Sequence, residues 1–454
     1  MAQKSKVRQG GGFTRGEDEV GLRRRQVLGA GLSAVAGAVA LPAMGKVGLY
    51  AGDLPTPPAN AVPAELARDE TFWREIARHY PRTSGIVNLE HGYWGKMARP
   101  VQAAYMAATE MVNTQNSYYG RKGYRTDAKL SVQRVARALG AGDDEIVLTR
   151  NATEAIHNLI RQYRGLEPGD AVLYADVDYP QFKTTMHWLK QGRGVEVVRL
   201  DLPSRAESGE LLGAYRAAFD ANPRLKLMLA THASNQHGLV LPIADIAAEA
   251  RGRGIDVICD CAQSWGLVDY RIEDLGVDWA GFNLHKWIGS PIGVGALYMR
   301  RGSLDRIAPY PGEQDSDNTR AWTRIHTGTA NFAAMASVPA ALDFHEALGG
   351  ANKEARLRYL RSLWSVEADE MSHIEVLGGA EEDAWTGMGA FRLAGKASVE
   401  DAKALQLRLE DEFGIFTVVR RGLASGSCVR ITPQVFTTPD EVGRLVDAMR
   451  RLRA

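Results

Sequence analysis

Between residues 145 and 260 the sequence alternates regularly between short apolar runs and longer stretches with a helical pattern. Short apolar runs favour strands that are buried on both faces of a sheet. Strands that alternate with helices indicate a parallel, doubly wound α/β sheet. The predicted strands are 145–148, 171–174, 195–200, 226–230 and 256–260, and the intervening helices begin at Thr153 or cover 181–190, 211–219 and 243–252.

The pattern changes after residue 331. An apolar helix over 332–348 is expected to link two domains, because 454 residues are too many for a single core. The C-terminal part of the chain is predicted to be a smaller α+β domain, with strands at 390–393, 415–419 and 429–432 and helices at 398–413 and 439–452. We place an N-terminal segment at 41–110, the large domain at 111–345 and the small domain at 346–454.

The first 40 residues have the features of an export signal. Arg24-Arg25 is followed by one residue and two apolar ones, and 29–43 is an uncharged run rich in Gly and Ala. This resembles a twin-arginine (Tat) signal, and Ala38-Val39-Ala40 is a plausible peptidase site. A surface amphipathic helix is the alternative, but Gly and Ala form a weak apolar face. The run is also too short for a stable membrane anchor. We therefore predict a periplasmic protein and the Tat translocation machinery as a partner.

Composition excludes several function classes. The chain is 45% hydrophobic and 24% charged, as in ordinary globular proteins. Residues 1–40 hold seven Lys/Arg and three Asp/Glu, so the rest carries a net charge of −3 and offers no basic face for nucleic acid. The three cysteines, Cys259, Cys261 and Cys428, form no disulfide framework, and no Cys/His cluster has the spacing of a metal site.

The chemistry of the chain is indicated by Asp260 and Lys286. Asp260 ends the predicted strand 256–260, and Lys286 precedes another predicted strand at 293–299. An acid and an amine at one edge of a sheet suit pyridoxal phosphate. The lysine forms a Schiff base with its aldehyde, and the acid keeps the pyridine nitrogen protonated. The alternatives are a helix-capping aspartate and a solvated surface lysine.

Three motifs around these residues carry a family resemblance. Asp260-x-Ala-Gln263, His285-Lys286-Trp287 and Gly293-x-Gly295 resemble the class V branch of the fold-type I pyridoxal-phosphate enzymes, and 281–287 resembles its isopenicillin N epimerase-like group most. The resemblance spans roughly residues 85 to 450. It implies a large cofactor-binding domain, a smaller C-terminal domain and a homodimer with sites at the subunit interface.

The resemblance also implies the cofactor contacts. Ala152 and Thr153, at a helix N-terminus suited to an anion, correspond to the phosphate cup, although an ordinary helix cap has the same composition. Tyr179 is expected to stack on the pyridine ring, and Gln263 is expected to hydrogen-bond its phenolic oxygen. The remaining expected contacts are Asn235, His285 and, from the neighbouring subunit, Thr329.

Two residues are expected to bind the substrate. Arg430, in Val429-Arg-Ile-Thr432, matches the arginine that grips the substrate α-carboxylate with two hydrogen bonds. His91 lies in a segment that resembles the substrate loop of the group. The chain departs from the family at Glu90, where asparagine is usual, and at Ala330-Asn331, where Arg-Asp is more usual.

The expected reaction begins when a small-molecule or peptide amine displaces Lys286, which then removes the Cα proton as a general base. Transamination, epimerisation and β-elimination all remain open after that step. Desulfuration of cysteine is less favoured, because it needs a mobile nucleophilic cysteine and Cys428 lies at the edge of a predicted strand. The combination of export with this group is similar to an exported enzyme that modifies pyoverdine siderophores, which favours a peptide-linked amine. A non-catalytic cofactor-binding protein is the alternative.

Overall fold

The structure is a computed structural model that describes residues 54, 56–313 and 319–452. The signal predicted for 1–40 lies outside these residues. In chain order the elements are α1 (Pro63–Leu66), α2 (Glu70–Arg78), β1 (Val87–Asn88), α3 (Arg99–Lys122), α4 (Tyr124–Leu139), β2 (Ile146–Thr149), α5 (Ala152–Gln162), β3 (Ala171–Ala175), α6 (Pro180–Arg193), β4 (Glu196–Leu200), β5 (Arg205–Ala206), α7 (Ser208–Ala221), β6 (Leu225–Thr231), α8 (Ile243–Gly252), β7 (Asp256–Asp260), β8 (Trp279–Asn283) and β9 (Gly295–Met299). They continue with α9 (Phe332–Ala336), α10 (Val338–Leu348), α11 (Gly350–Asp369), β10 (Ile374–Gly379), β11 (Gly389–Leu393), α12 (Val399–Asp411), β12 (Ile415–Phe416), β13 (Val418–Arg420), β14 (Cys428–Ile431) and α13 (Pro439–Arg451).

The main sheet of the described residues has the strand order β2-β9-β8-β7-β6-β3-β4. Strands β8, β7, β6, β3 and β4 pair in parallel, and β9 runs antiparallel to both β8 and β2. The mostly parallel α/β sheet of the sequence prediction is therefore confirmed. Because six of its seven strands point the same way, their carboxyl ends lie along one edge.

Successive residues of the central strands pack into different cores. Val172 and Ile258 belong to the cluster that includes α5 and α6, whereas Leu173 and Cys259 belong to the cluster that includes α7 and α8. Side chains alternate between the two faces of a strand, so a sheet covered by helices on both faces needs apolar residues at every position. This explains the uninterrupted apolar runs in the sequence.

A second sheet, β13-β14-β11-β10-β5, lies C-terminal in the chain apart from its last strand. Strands β13, β14, β11 and β10 are antiparallel neighbours, and the short β5 pairs in parallel with β10. The N-terminal segment joins this region, because β1 pairs with β12 and Glu90 bridges to Thr432. The backbone that leads into the loop after Glu90 is thereby fixed to the C-terminal region.

Several helix and strand boundaries differ from the sequence prediction. The helix expected over 332–348 is two helices, because Pro339 occupies the first turn of α10 and cannot continue the hydrogen bonding of α9. Helix α3 is interrupted at Asn116, which has a φ of +48°. The strand expected at 415–419 is two strands, β12 and β13, and both α11 and β10 were missed.

No helix within the described part of the chain is long and apolar enough to cross a membrane. In the same residues, no group of three or more His, Cys, Asp and Glu side chains could hold a metal ion.

Replacing Trp364 by Ala is expected to destabilise the C-terminal region. Trp364 is fully buried on α11 against Phe391, and truncation of a buried Trp leaves a cavity that costs about 3–5 kcal/mol. Chemical denaturation followed by circular dichroism should show the loss. Trp322→Ala is the matched control, since Trp322 is 43% exposed, and an equal loss in both variants would contradict the burial of Trp364 in this core.

Candidate active site

A cavity of about 410 Å³ opens at the carboxyl edge of the main sheet. Its walls come from the segments that follow β2, β3, β6, β7 and β8, together with the loop after Glu90. The structure brings together most of the residues predicted from sequence, since the cavity is lined by Ala152, Thr153, Tyr179, Asn235, Asp260, Gln263, His285 and Lys286.

Asp260 is the acid of the cavity. It is the last residue of β7, it is 5% exposed, and its Oδ1 accepts a hydrogen bond from the Ala262 amide at 2.9 Å. Burial raises the pKa of this carboxyl, and the Ala262 amide and the Lys286 charge offset part of the rise. A cationic ring nitrogen beside Asp260 would favour its ionised form.

Lys286 is the amine of the cavity. Burial lowers the pKa of Lys286 to about 7, against the attraction of Asp260, which raises it. The backbone around Lys286 is held closely: the Gly95 amide donates to His285 O at 2.8 Å, and Lys353 Nζ donates to Trp287 O at 2.8 Å. A Cβ on Gly95 would lie 1.9 Å from Lys286 O, so only glycine permits this approach.

The N-terminus of α5 forms the anion-attracting end of the cavity. The Asn151 side chain caps the helix by accepting from the Glu154 amide at 2.8 Å, and the Ala152 amide donates to Asn283 Oδ1 at 2.9 Å. Thr153, in the first turn, lines the cavity with its hydroxyl-bearing side chain. The helix dipole favours a phosphate here, although the Ala152 amide is already engaged.

His285 lines the cavity beside Lys286, and its Nδ1 lies 2.9 Å from Val294 O. Burial lowers the pKa of His285 to about 4, so the imidazole is neutral at neutral pH. A neutral ring that donates from Nδ1 to a carbonyl has Nε2 left for a ligand.

Tyr179 and Gln263 line the cavity in different ways. The Tyr179 ring packs edge-on against Phe182, with centroids 5.2 Å apart, which fixes an aromatic surface in the wall. Gln263 ties two loops together: its Nε2 donates to Gly92 O at 2.8 Å, and its Oε1 accepts from Trp287 Nε1 at 2.9 Å. The second N–H of the Gln263 amide is the one left for a cofactor oxygen.

Three predicted residues do not line the cavity. Arg430 is fully buried, and its Nη2 donates to both carboxylate oxygens of Glu90, at 2.6 and 2.9 Å. His91 lines a different cavity, where its ring packs edge-on against Phe436. Thr329 is exposed and lies outside the cavity of its own chain.

Arg420, the last residue of β13, lines the cavity and was missed in the sequence analysis. The strand was expected to end at residue 419. Nothing in the sequence Val418-Val-Arg-Arg421 indicates that Arg420 rather than Arg421 lines the cavity. Its place at the cavity depends on the antiparallel pairing of β13 with β14, which no local pattern reveals.

These residues fit pyridoxal phosphate. The cavity combines a buried carboxyl, an amine with a lowered pKa, an aromatic wall and a helix N-terminus. The doubly wound sheet with this set at its carboxyl edge defines the class as a fold-type I pyridoxal-phosphate enzyme.

The sequence profile of the aminotransferase class-V family matches residues 105–445, and the chain belongs to that family. The chain is 27% identical over 350 residues to the isopenicillin N epimerase of Streptomyces clavuligerus, covering 70% of this chain and 83% of the relative. It is 26% identical over 404 residues to the Amycolatopsis lactamdurans isopenicillin N epimerase, covering 84% and 99%. A cysteine desulfurase of Haloferax volcanii is 28% identical over 341 residues, covering 70% and 78%.

Solved structures share the fold. The apo cysteine desulfurase of Thermococcus onnurineus superimposes with a TM-score of 0.71 at 20% identity, covering 83% of this chain and 97% of the other. The cystine C-S lyase C-DES in complex with cysteine persulfide gives a TM-score of 0.71 at 20% identity, covering 81% and 97%. The family match over residues 105–445, rather than these structures, shows that the protein is a pyridoxal-phosphate enzyme of the class V kind.

Capture of the cofactor by the apoprotein should depend on pH through Lys286. The neutral amine is the form that attacks an aldehyde, so the rate should rise with pH and reach half of its maximum near the Lys286 pKa of about 7 rather than at the ordinary 10.5. Stopped-flow absorbance after addition of pyridoxal phosphate measures the rate. In Asp260→Asn the midpoint should move to lower pH, because the carboxylate that favours the ammonium form is gone; an unchanged midpoint would contradict the coupling.

Proposed function

We propose that this protein removes the Cα proton of an amine substrate with Lys286 and completes either a transamination or an epimerisation. The observation that carries the proposal is the buried Lys286 amine in one cavity with Asp260, and burial lowers the pKa of Lys286 to about 7, so that part of the amine is unprotonated at neutral pH. The two isopenicillin N epimerases among the relatives support the epimerase-like alternative.

When bound, pyridoxal phosphate supplies an aldehyde that links to an amine and a ring that withdraws electrons from the adjacent carbon. Asp260 would hold a proton at the ring nitrogen, and Thr153 with the α5 N-terminus would hold the phosphate. Tyr179 limits the tilt of a ring placed against it, and Lys286 accepts the Cα proton at Nζ. Tyr93 and Trp94, whose tilted rings contact each other with centroids 4.8 Å apart, also line the cavity.

Whether the proton returns to the substrate decides the outcome. A proton returned to the opposite face of Cα would invert the centre. In a transamination the cofactor would take the proton and keep the amino group, and water would release the keto product. Incubation of the holoenzyme with each candidate amine in deuterated water, followed by chiral chromatography and mass spectrometry, distinguishes them. Epimerisation gives the opposite stereoisomer with deuterium at Cα, whereas transamination gives a keto product.

Desulfuration that needs a mobile nucleophilic cysteine is the less favoured candidate. Cys259, Cys261 and Cys428 are all buried, at 0, 1 and 0% exposure, and none lines the cavity. Burial raises the pKa of Cys428 to about 12, so it is a poor nucleophile. Elimination without a cysteine nucleophile stays open as the alternative reaction.

Replacing Lys286 by Ala should abolish both the covalent link to the cofactor and the turnover. Wild-type protein treated with borohydride should retain the reduced cofactor on the peptide that contains Lys286, seen by mass spectrometry, and should show a visible absorbance band before reduction. Lys96→Ala is the control, because Lys96 is in the neighbouring loop but lines a different cavity. Unchanged turnover in Lys286→Ala would refute the proposal.

We further propose that the protein is exported in folded, cofactor-loaded form by the Tat route and works in a bacterial periplasm as a homodimer, with Thr329 at the neighbouring subunit's site. Arg24-Arg25 and the uncharged run after it support export. A peptide-linked amine is the substrate we favour for such a location.

Replacing Arg24 and Arg25 together by Lys should keep the precursor in the cytoplasm. Cell fractionation and immunoblotting measure the distribution between compartments. Arg23→Lys, which removes the adjacent arginine and leaves the pair intact, should still reach the periplasm. Equal export of the double variant would exclude the Tat route.

A further inference from the structure

Two arginines lie close enough to Lys286 for their charges to act on its amine. They differ in how far their guanidinium groups are already hydrogen-bonded within the chain. Both Arg430 and Arg420 oppose the protonated form of Lys286. Arg430 is buried and engaged on most of its hydrogen-bonding edge. Arg420 faces the cavity and has no hydrogen-bonded partner for its guanidinium among the described residues. The contrast decides which of them is available to a substrate.

Arg430 donates through both of its terminal nitrogens to residues of the chain itself, while its buried Nε has no hydrogen-bond partner among the described residues. Its Nη2 donates to both oxygens of Glu90, and its Nη1 donates to Asn235 O at 2.7 Å. The backbone of Gly92 covers the group, since a Cβ there would lie 2.6 Å from Arg430 Nη2. Glu90 is itself buried, with a side chain 7% exposed, so a substrate carboxylate at Arg430 would have to expel one buried carboxylate and leave it without a partner.

Arg420, in contrast to Arg430, has no carboxylate within hydrogen-bond distance among the described residues. Its side chain is 23% exposed and lines the cavity. The nearest carboxylate oxygen within the described part of the chain, Glu90 Oε1, lies 3.9 Å from Arg420 Nη2, which is beyond hydrogen-bond distance. Glu90 supplies one negative charge to two guanidinium groups, so one positive charge remains uncompensated at the cavity wall.

We propose that Arg420, and not Arg430, binds the carboxylate of the substrate, which would then lie within reach of β13. A largely buried guanidinium is stabilised by an anionic partner, because few water molecules solvate its charge. A carboxylate can accept two hydrogen bonds from the planar edge of the guanidinium. Glu90 is the reason that Arg420 rather than Arg430 is available to a substrate carboxylate, because the Glu90 carboxylate already neutralises the Arg430 guanidinium. The proposal rests on the proposed reaction with amines.

The test compares amines that differ only in the carboxylate. Holoenzyme is titrated with L-alanine and with ethylamine, and with L-glutamate and 4-aminobutyrate, while the visible cofactor band reports the apparent Kd of each. Wild type should bind the α-carboxylate member of at least one pair more tightly. Arg420→Gln should weaken that member by roughly 10- to 100-fold, the loss expected for a charge-assisted bidentate contact, and leave ethylamine unchanged.

Arg421→Gln is the matched control, because it removes the same charge one residue further along at an exposed position. Arg420→Lys should recover part of the affinity, since it keeps the charge and loses the fork. The double variant Glu90→Gln with Arg430→Gln removes the buried pair together, leaves no orphaned charge, and should keep the preference for the carboxylate.

The outcomes separate this inference from the proposed function. If Arg420→Gln matches Arg421→Gln while the double variant loses the preference, Arg430 binds the carboxylate and the inference is wrong, although the reaction with amines stands. Equal binding of both members of every pair by wild type would also overturn it. If no amine shifts the band of a wild-type protein that holds its cofactor, the proposed function and the inference both fall.

Discussion

The chemistry of this protein depends on the shared carboxyl edge of the main sheet. Five neighbouring parallel strands end along one line, so segments separated by more than a hundred residues meet there. The edge places the dipole of α5, the carboxyl of Asp260 and the amine of Lys286 around one cavity. In this cavity, burial raises the pKa of the Asp260 carboxyl and lowers the pKa of the Lys286 amine. The attraction between the two groups offsets part of both shifts.

A second constraint is the pairing between the N-terminal segment and the C-terminal sheet. Because β1 pairs with β12 and Glu90 bridges to Thr432, the carboxylate of Glu90 arrives opposite Arg430. The same loop then supplies Gly92 O to Gln263 and the Gly95 amide to His285 O. One short segment, residues 90–95, thus contacts both Arg430 and the backbone next to Lys286.

Much of the fold and of the cofactor site could be predicted from the sequence. The apolar runs indicated the strands because both faces of the sheet are buried, and the strand-end position of Asp260 indicated the site because ligands gather at that edge. The break between α9 and α10 was missed although Pro339 signals it, and α11 was missed altogether. The position of His91 could not be predicted, since its ring lies outside the cavity only because of how the loop packs on Phe436.

The sequence by itself determined the class of sheet and the cofactor, and it predicted the acid and the lysine, because these depend on local patterns and on short motifs. The tertiary structure alone decided which arginine faces the cavity. Arg420 and Arg430 are both strand residues of one antiparallel pair, and no local signal separates them. The difference arises from Glu90, 340 residues from Arg430 in the chain, whose carboxylate engages one guanidinium and leaves the other to the cavity.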